Sequence, residues 1–400
     1  MTEIIRTLAS MPAAPQGRTA PPLLDPAGPS VVLGGADPME TAVAPSPTTM
    51  FGPRGAVLLA PEGPLVVSDT GHHRLLVYPT TPTRDATPAA WQFGQPDFVT
   101  EGRNGGLDEG PRRDTLNVPT GVAPYPNPAG LGLVVADGWN HRVLIWHRAP
   151  QGPGDLPDLV LGQADFGGGS PNRDGAPNGG TLHWPFAAMV HEGRLFVADT
   201  GNRRVLIWNA LPTAHGQPAD VVLGQPHLGE RSDNGGHEAN ASSMRWPHAL
   251  AMLGEDLLVT DAGNNRVLWF DGTPEHHDAP ATRVLGQPDF GHVDHNQASY
   301  WPRADCVNMP YALAVWRDRV LVGDTANSRL LGWQARGREV NADAGFLTGQ
   351  PHFAAKGDNR WGPPVRDSVC WPYGLTVCGD TVVLSDTGNH RVCLWSMHDG

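Results

Sequence analysis

Positive charge is scarce in this chain. Its 400 residues include 28 Lys and Arg against 41 Asp and Glu, for a formal net charge of −13 at pH 7, and Lys356 is the only lysine. Proteins that bind nucleic acid or anionic lipid neutralise phosphates with clustered Lys and Arg. This sequence has no basic stripe, so we expect neither a nucleic acid nor a membrane surface as a partner.

Long apolar runs and cysteine pairs are missing too. No run of about 18 apolar residues occurs, which predicts no transmembrane helix, and the first residues lack the basic head and apolar stretch of a secretory signal. No Cys-x-x-Cys pair occurs among the four cysteines, which are Cys306, Cys370, Cys378 and Cys393. They fit either isolated thiols in a reducing compartment or a metal or redox site in the last two repeats. We therefore expect a soluble, cytoplasmic protein.

Sequence signatures of common enzymes are absent as well. The chain has no nucleophile elbow, no phosphate-cradling glycine loop and no His-Glu-x-x-His helix. Strand-dense sequence without a helix signal also leaves no dinucleotide-binding domain. These absences favour a non-catalytic function.

The chain does contain one hairpin motif that occurs six times. The first copy reads VVSDTGHHRLLVY, and the copies cover residues 66–78, 134–146, 196–208, 258–270, 321–333 and 383–395. The aspartates of successive copies are 68, 62, 62, 63 and 62 residues apart. A fixed period of this length indicates a repeat architecture.

Each repeat contains more than the hairpin. A proline precedes every hairpin, and these prolines are Pro53, Pro119, Pro185, Pro247, Pro310 and Pro372. A Gly-Gln turn follows each of the first five hairpins, with its glutamine at Gln95, Gln163, Gln225, Gln287 and Gln350. One repeat thus holds four short apolar runs bounded by turn residues, which predicts four antiparallel strands.

Six repeats of four strands predict an all-β fold, the six-bladed β-propeller. The sixth repeat has no fourth strand of its own, whereas residues 30–38 (SVVLGGADP) match one and stand before the first hairpin. We expect this N-terminal strand to complete the last blade and close the ring. Residues 30–400 then form one monomeric propeller, and we expect the proline-rich arm 1–29 to be poorly ordered.

An aspartate and an arginine flank the four-residue turn of every hairpin. Opposite charges at facing positions of a hairpin contribute about 0.2–1 kcal/mol per pair, so we interpret them as structural. The predicted pairs are Asp69 with Arg74, Asp137 with Arg142, Asp199 with Arg204, Asp261 with Arg266, Asp324 with Arg329 and Asp386 with Arg391.

Two hairpins carry a recognisable four-residue segment, at 140–143 (NHRV) and 389–392 (NHRV). Each follows an aspartate and a turn and resembles the signature of the NHL repeat family, and the resemblance covers about residues 30–398. It implies one of three groups: RNA- or protein-binding propellers, extracellular sensor domains, or enzymes of similar shape such as the amidating lyase, gluconolactonases and paraoxonases. The acidic charge speaks against the RNA-binding group, and a channel calcium of the gluconolactonase kind stays open.

The residue after each repeated proline is a candidate for a ring at the mouth of the central channel. Alternating strand direction places it on the same face as the hairpin turns and the long loops between blades. The six positions are Arg54, Thr120, Phe186, His248, Tyr311 and Tyr373. They differ while their neighbours repeat, as a site near a symmetry axis must, although positions without a role also vary.

The long loops between blades are polar and rich in Asp, Asn, His and Gly. Candidate metal ligands in them are His237, Glu238, His292, Asp294 and His295, and solvated turns are the alternative interpretation. The preferred function is a non-catalytic propeller whose loop face binds a protein partner or a small ligand, with no cofactor. The competing hypothesis is a metal-dependent hydrolase or lyase with its active site in the channel, which would require calcium or zinc.

Overall fold

The computed structural model describes residues 16–35, 43–106, 110–335 and 342–398. Strands of these residues form six four-stranded antiparallel sheets, arranged as six blades. The first strand of each blade is innermost and lines a central channel. The prediction of a six-bladed, all-β propeller is confirmed.

The blades contain 24 strands in total among the described residues. Blade 1 comprises β2 (Gly55–Leu58), β3 (Leu65–Asp69), β4 (Arg74–Tyr78) and β5 (Trp91–Phe93). Blade 2 comprises β6 (Pro119–Asn127), β7 (Gly130–Asp137), β8 (Arg142–Trp146) and β9 (Leu159–Leu161). Blade 3 comprises β10 (Pro185–His191), β11 (Arg194–Asp199), β12 (Arg204–Trp208) and β13 (Val221–Leu223).

The remaining blades follow the same plan. Blade 4 comprises β14 (Pro247–Leu253), β15 (Asp256–Asp261), β16 (Arg266–Phe270) and β17 (Arg283–Leu285). Blade 5 comprises β18 (Pro310–Trp316), β19 (Arg319–Asp324), β20 (Arg329–Gln334) and β21 (Phe346–Thr348). Blade 6 comprises β22 (Pro372–Cys378), β23 (Thr381–Asp386), β24 (Arg391–Ser396) and β1 (Val31–Gly34).

Helical structure in the described residues is limited to single turns. Each hairpin turn is a 3₁₀ turn, over Thr70–His72, Gly138–Asn140, Thr200–Asn202, Ala262–Asn264, Thr325–Asn327 and Thr387–Asn389. Further short turns lie in the loops between blades, over Arg103–Gly106, Pro171–Asp174, Asp233–Gly236, His295–Ala298 and Asp358–Trp361. Within the described ranges, none of these turns has the length or the apolar character to cross a bilayer.

The N-terminal strand closes the ring as predicted. β1 pairs antiparallel with β24, with Val31 opposite Leu394 and Gly34 opposite Arg391. Leu33 of β1 is fully buried in an apolar cluster that joins blade 6 to blade 1. Because β1 is the fourth strand of the last blade, β24 has no open edge.

The apolar core is divided into six clusters, each between two neighbouring blades. One cluster contains Val143 of blade 2 and Val197 of blade 3, for example, and another contains Leu258 of blade 4 and Val322 of blade 5. The middle strands bury side chains on both faces because a blade is covered on both sides. The tightly packed ring therefore holds each inner strand at a fixed distance from the channel axis.

Part of the N-terminal arm packs on the propeller. Residues 16–29 lie against blades 5 and 6, and the prediction for residues 1–15 lies outside the described residues. Leu23 and Leu24 are fully buried, and the Leu23 N–H donates to the Leu347 carbonyl at 3.3 Å. The Trp395 Nε1–H donates to the Asp25 carbonyl at 2.7 Å. Apolar burial and backbone hydrogen bonds hold this segment in place despite its prolines.

Candidate functional site

The six hairpin aspartate–arginine pairs form as predicted, and they are buried. The arginine Nε lies 2.6–2.9 Å from the aspartate Oδ2 in every blade. In blade 3, Asp199 Oδ1 also accepts the backbone N–H of His183 at 2.7 Å. Removal of one partner from a buried pair costs about 3–5 kcal/mol, because the other charge is left buried without compensation.

Five of the six hairpin arginines also bind the loops on both sides of their blade. Arg204 Nη1 donates to the Leu228 carbonyl in the following loop, and Nη2 donates to the carbonyls of Asn178 and Thr181 in the preceding loop, at 3.0 Å each. The arginines of blades 1, 2, 4 and 5 donate to loop carbonyls in the same manner. Arg391 of blade 6 donates to carbonyls of its preceding loop. Charge-assisted hydrogen bonds of this kind hold the loops in defined conformations.

A repeated asparagine in the loops was missed by the sequence analysis. It forms a side-chain hydrogen bond of 2.7–2.9 Å with the asparagine of the next hairpin turn. The pairs are Asn104 with Asn140, Asn172 with Asn202, Asn234 with Asn264, Asn296 with Asn327 and Asn359 with Asn389. The loop asparagines keep the repeat period, and that spacing is the signal that could have revealed them.

The hairpin turns and these loops share one face of the propeller, here called the loop face. Its loops span residues 94–118, 162–184, 224–246, 286–309 and 349–371, apart from the undescribed residues 107–109. Each loop ends at a residue that precedes the repeated proline and enters the first strand of the next blade. The loop face therefore surrounds one end of the channel.

The entry into each first strand has an unusual backbone. The residue before the proline has a positive φ of 50–56° in five blades, at Gly52, Val118, Trp184, Met309 and Trp371. A side chain from the preceding hairpin accepts its N–H, as His141 Nδ1 does for Trp184 at 2.9 Å. Positive φ at a β-branched residue such as Val118 is costly, so these contacts between blades stabilise a strained conformation.

A β-bulge lies directly after the repeated proline in five blades. In five blades the pairing of the first and second strands shifts by one residue just after the proline, as between Pro185 and Ala187. A bulge redirects the side chain at its position. Five of the candidate ring residues, all except Arg54, sit at these positions. Four of these five, namely Phe186, His248, Tyr311 and Tyr373, line the channel.

Blade 4 breaks the pattern. Its Trp246 does not have a positive φ, and the preceding hairpin carries Arg203, which pairs with Asp233 instead of accepting the Trp246 N–H. Within this altered entry, His248 Nδ1 lies 2.9 Å from the Trp246 carbonyl. The pseudo-sixfold symmetry is therefore lost at the residue that brings an imidazole into the channel mouth.

Four of the six ring residues form an aromatic cluster. His248 stacks on Tyr311 with ring centroids 4.2 Å apart, and Phe186 lies 4.4 Å from His248 on the other side. Tyr373 follows at 4.6 Å from Tyr311. These residues come from the consecutive blades 3, 4, 5 and 6, and each contact joins two neighbouring blades.

The other two ring residues flank the cluster. The Arg54 guanidinium carbon lies 5.1 Å from the centroid of the Tyr373 ring, a cation–π contact. The Thr120 hydroxyl donates to the Phe186 carbonyl at 2.7 Å, and the threonine is buried. Five of the six predicted residues thus line the channel. Thr120 does not line it but binds the backbone of Phe186, which does.

The electrostatics of the cluster follow from burial. The pKa of His248 is lowered to about 3, mainly by burial; the hydrogen bond to the Trp246 carbonyl opposes this shift and the charge of Arg54 contributes to it. His248 is therefore neutral at pH 7. Because Nδ1 faces a carbonyl acceptor, it carries the proton, and Nε2 is left as an acceptor.

Beyond the cluster lies a cavity of about 270 Å³ in the channel. Its wall consists of first-strand residues from all six blades, most of them Ala, Gly, Val, Leu and Met. The volume lies near the lower end of the range for small-molecule sites, roughly 300–1,000 Å³. The cavity can therefore take a small, largely apolar group.

The predicted metal ligands lie elsewhere. The five residues are exposed in loops of the loop face, and they are His237, Glu238, His292, Asp294 and His295. Asp289 and His292 pair with each other at 2.7 Å. In the described part of the chain, no three His, Cys, Asp or Glu side chains are grouped closely enough to hold a metal ion. The calcium or zinc hypothesis remains a prediction.

The cysteines are free thiols. Three of them, Cys306, Cys370 and Cys393, are buried, and Cys378 is half-buried. Burial raises the pKa of Cys370 and of Cys393 to about 12, so both are protonated at neutral pH. This placement favours the interpretation as isolated thiols.

Comparison with known proteins supports the fold alone. No protein-family model matches the chain, and no curated protein matches it. A structural genomics protein of unknown function from Bacteroides thetaiotaomicron VPI-5482 is similar with a TM-score of 0.53 and 12% identity, over 93% of this chain and 75% of that one.

Two further structures show weaker similarity. Raptor from Chaetomium thermophilum has a TM-score of 0.48 and 8% identity, over 96% of this chain and 29% of that one. The WD40 β-propeller domain of Doa1 has a TM-score of 0.47 and 9% identity, over 93% and 97% of the two chains. We draw nothing from these two scores. This chain is thus a six-bladed β-propeller by its own strand topology, similar in fold to the Bacteroides protein.

Proposed function

We propose that this protein is a non-catalytic binding propeller of the NHL type, which holds a small ligand or a protein partner at the channel mouth of its loop face. The observation that carries the proposal is the aromatic cluster beside Arg54. Six positions that are equivalent in the repeat carry five different residue types, with tyrosine twice, and five of the six side chains converge on one cavity. Aromatic and arginine side chains dominate the energetics of binding sites.

The rigidity of the loop face supports a binding role. Buried arginines and paired asparagines hold the loops that surround the channel mouth, as Arg204 and Asn202 do in blade 3. A surface that is ordered before binding loses less conformational entropy when a partner arrives. The loop face thus offers a preorganised contact surface.

The protonation state of His248 favours binding over acid–base catalysis. A general base works best when its pKa lies near the working pH, and a histidine with a pKa of about 3 accepts a proton poorly at pH 7. The neutral imidazole is suited to stacking and to accepting a hydrogen bond. No observation in the described residues specifically favours the hydrolase or lyase alternative.

The proposal is tested by nuclear magnetic resonance of protein labelled with ¹⁵N in its histidine rings. A library of neutral, cationic and anionic fragments is screened for binding, and each binder is then examined for its effect on the His248 imidazole signals, which the His248→Phe variant assigns. We expect binders to shift the His248 signals. His276, in the exposed loop between β16 and β17, is the internal control. Binders that leave His248 unchanged would contradict the proposal.

A further inference from the structure

The channel cavity contains a single formal charge. Among the described residues that line it, Arg54 is the only one with a charged side chain at pH 7, and its remaining wall is mainly aliphatic. The whole protein is acidic, with a net charge of −13. The cavity therefore holds a lone cation beside a mainly apolar wall, within a protein that is acidic as a whole.

Arg54 has no anionic partner in the described structure. The hairpin arginines, such as Arg74, each pair with a carboxylate within 3 Å, whereas Arg54 forms no ion pair. Its Nε is buried and has no hydrogen-bond acceptor. Burial lowers the pKa of Arg54, opposed by Tyr373 and Tyr311, which means that its surroundings penalise the charged form.

A guanidinium that is partly withdrawn from water without a charge partner carries a desolvation cost, yet it stays protonated in proteins. An anion bound beside it would restore the missing charge partner and the missing acceptor for Nε. The cation–π contact with Tyr373 offsets part of the cost and holds the guanidinium at the cavity. The cavity is therefore suited to an anionic group at this point.

The surroundings select the kind of anion. A guanidinium fork matches a carboxylate with two parallel hydrogen bonds. A phosphate dianion requires more donors, usually several cations or a run of backbone N–H groups, and the cavity has one cation and an aliphatic wall. A monoanion with a hydrocarbon body fits both features.

One further polar group, the Tyr311 hydroxyl, belongs to the lining of the same cavity. The only hydrogen-bond contact of the Tyr311 hydroxyl in the described structure is a weak one, to Met309 Sδ at 3.9 Å, so it is available as a donor. Its pKa is raised by burial, and the phenol stays protonated. A carboxylate held by Arg54 can use a donor of this kind for its second oxygen.

We propose that the channel binds a small monocarboxylic acid, with the carboxylate on the Arg54 guanidinium and the hydrocarbon body along the aliphatic wall. This inference rests on the proposed function and specifies its ligand class. A protein C terminus carries the same carboxylate, and the experiment separates the two sources.

The test compares acids with their neutral amides by isothermal titration calorimetry at low ionic strength. The probes are hexanoate with hexanamide and phenylacetate with phenylacetamide, and the tripeptide Ala-Ala-Leu with a free or amidated C terminus covers the other source. We expect at least one small acid to bind wild-type protein at least tenfold more tightly than its amide. The Arg54→Gln variant should lose at least tenfold in affinity for that acid and keep its affinity for the amide.

The matched control is Arg84→Gln, which removes the same charge from an exposed loop between β4 and β5. It should bind the acid as wild-type protein does. If Arg54→Gln does not fold, the comparison of acid and amide on the wild-type protein still decides, because it requires no variant.

The outcomes separate this inference from the function on which it rests. Amides that bind as tightly as acids, while the His248 signals still shift, would overturn the carboxylate assignment and leave the binding function standing. Binding of the peptide acid without any small acid would overturn the small-molecule assignment. A fragment screen in which no binder shifts the His248 imidazole signals would contradict both the proposed function and this inference.

Discussion

The backbone N–H of Gly52, at the start of the first blade, donates a hydrogen bond of 3.0 Å to Nδ1 of His390 in the last hairpin. These residues are 338 positions apart in the chain, and the bond closes the ring on the loop face. Four other junctions between blades use the same contact, with His73, His141, Asn265 or Ser328 as acceptor. The fourth residue of the hairpin turn thus connects neighbouring blades.

Replacement of His390 by alanine should weaken ring closure. The Gly52 N–H would lose its acceptor at a partly buried position, so we expect a loss of about 1–3 kcal/mol in the free energy of unfolding. Chemical denaturation measures this change in the free energy of unfolding. The exposed His276→Ala variant is the control and should change stability by less than about 0.5 kcal/mol. Equal stability of the two variants would contradict the proposed role of the bond.

Truncation of Leu33 tests closure by the N-terminal strand. Leu33 is fully buried between blades 6 and 1, so Leu33→Ala should cost about 2–5 kcal/mol. Limited proteolysis should then cut the chain near β1 first. The more exposed Leu156→Ala serves as the comparison. A loss below about 0.5 kcal/mol for Leu33→Ala would show that β1 is not packed in the last blade.

Asp199→Ala tests the energy of a buried hairpin pair. The substitution leaves Arg204 buried without its carboxylate and removes the acceptor of the His183 N–H, so we expect a loss of about 3–5 kcal/mol. The control is Asp114→Ala, because Asp114 pairs with Arg112 on the surface at 3.1 Å. That variant should lose at most about 1 kcal/mol in thermal or urea unfolding. A similar loss in both variants would refute the buried-pair interpretation.

The stability of the protein should fall on acidification below the ordinary histidine pKa. Burial, and next the charge of His183, lowers the pKa of His141 to about 4. Between that value and the unfolded value of about 6.5, the unfolded chain binds a proton that the folded chain rejects, so folding loses free energy as the pH falls. His73 and His390 shift in the same direction through burial.

One histidine opposes this trend. Burial lowers the pKa of His72, but the Asp69 carboxylate outweighs this effect and raises the pKa overall. This group stabilises the fold at low pH and loses its contribution as the pH rises through its folded pKa. More histidines have a lowered pKa, among them His73, His141 and His390, so we expect the stability to fall with pH overall.

The His141→Asn variant isolates one contribution to the pH dependence. Asparagine keeps an acceptor, as Asn265 does at the equivalent position, but does not titrate. Between pH 4 and 6.5 the unfolding free energy of the variant should change less steeply than that of wild type, by up to about 1.4 kcal/mol per pH unit. Urea titrations at a series of pH values measure the slope. An unchanged slope would show that His141 protonates in the folded state.

Elemental analysis tests the enzyme alternative. For protein purified without tag or chelator, we expect mass spectrometry to find well below one zinc or calcium per chain after dialysis. About one tightly held ion per chain would instead favour a hydrolase or lyase. A double variant of His237 and His292 would then show whether the loop residues hold the metal.

The architecture could be predicted because it is periodic. The hairpin Asp and Arg and the turn before each strand recur every 62 to 68 residues, so strand order, blade number and closure by β1 follow from spacing. The sequence analysis also expected the six residues after the repeated prolines to lie close together, because strand direction decides which end of each inner strand faces the channel mouth. The loop asparagines recur with the same period, so their repetition could also have been predicted from the sequence.

Other features were decided by tertiary structure. Burial of Asp199 with Arg204 depends on loops from two blades that cover it, and no local pattern distinguishes that state from an exposed pair. The packing of Leu23 depends on strand β21, more than 300 residues away, and the local proline-rich composition carries no signal of that contact.

The repeats, the strands and the closure of this propeller follow from local turn chemistry and alternation, which recur in every blade. The contact of Arg54 with Tyr373, the lack of a carboxylate partner for Arg54 among the described residues, and the stacking of His248 on Tyr311 arise only in the folded protein. These relationships join side chains that approach each other only when six blades surround one axis. The absence of a charge partner is a property of that assembled cavity, which no single segment of the chain encodes.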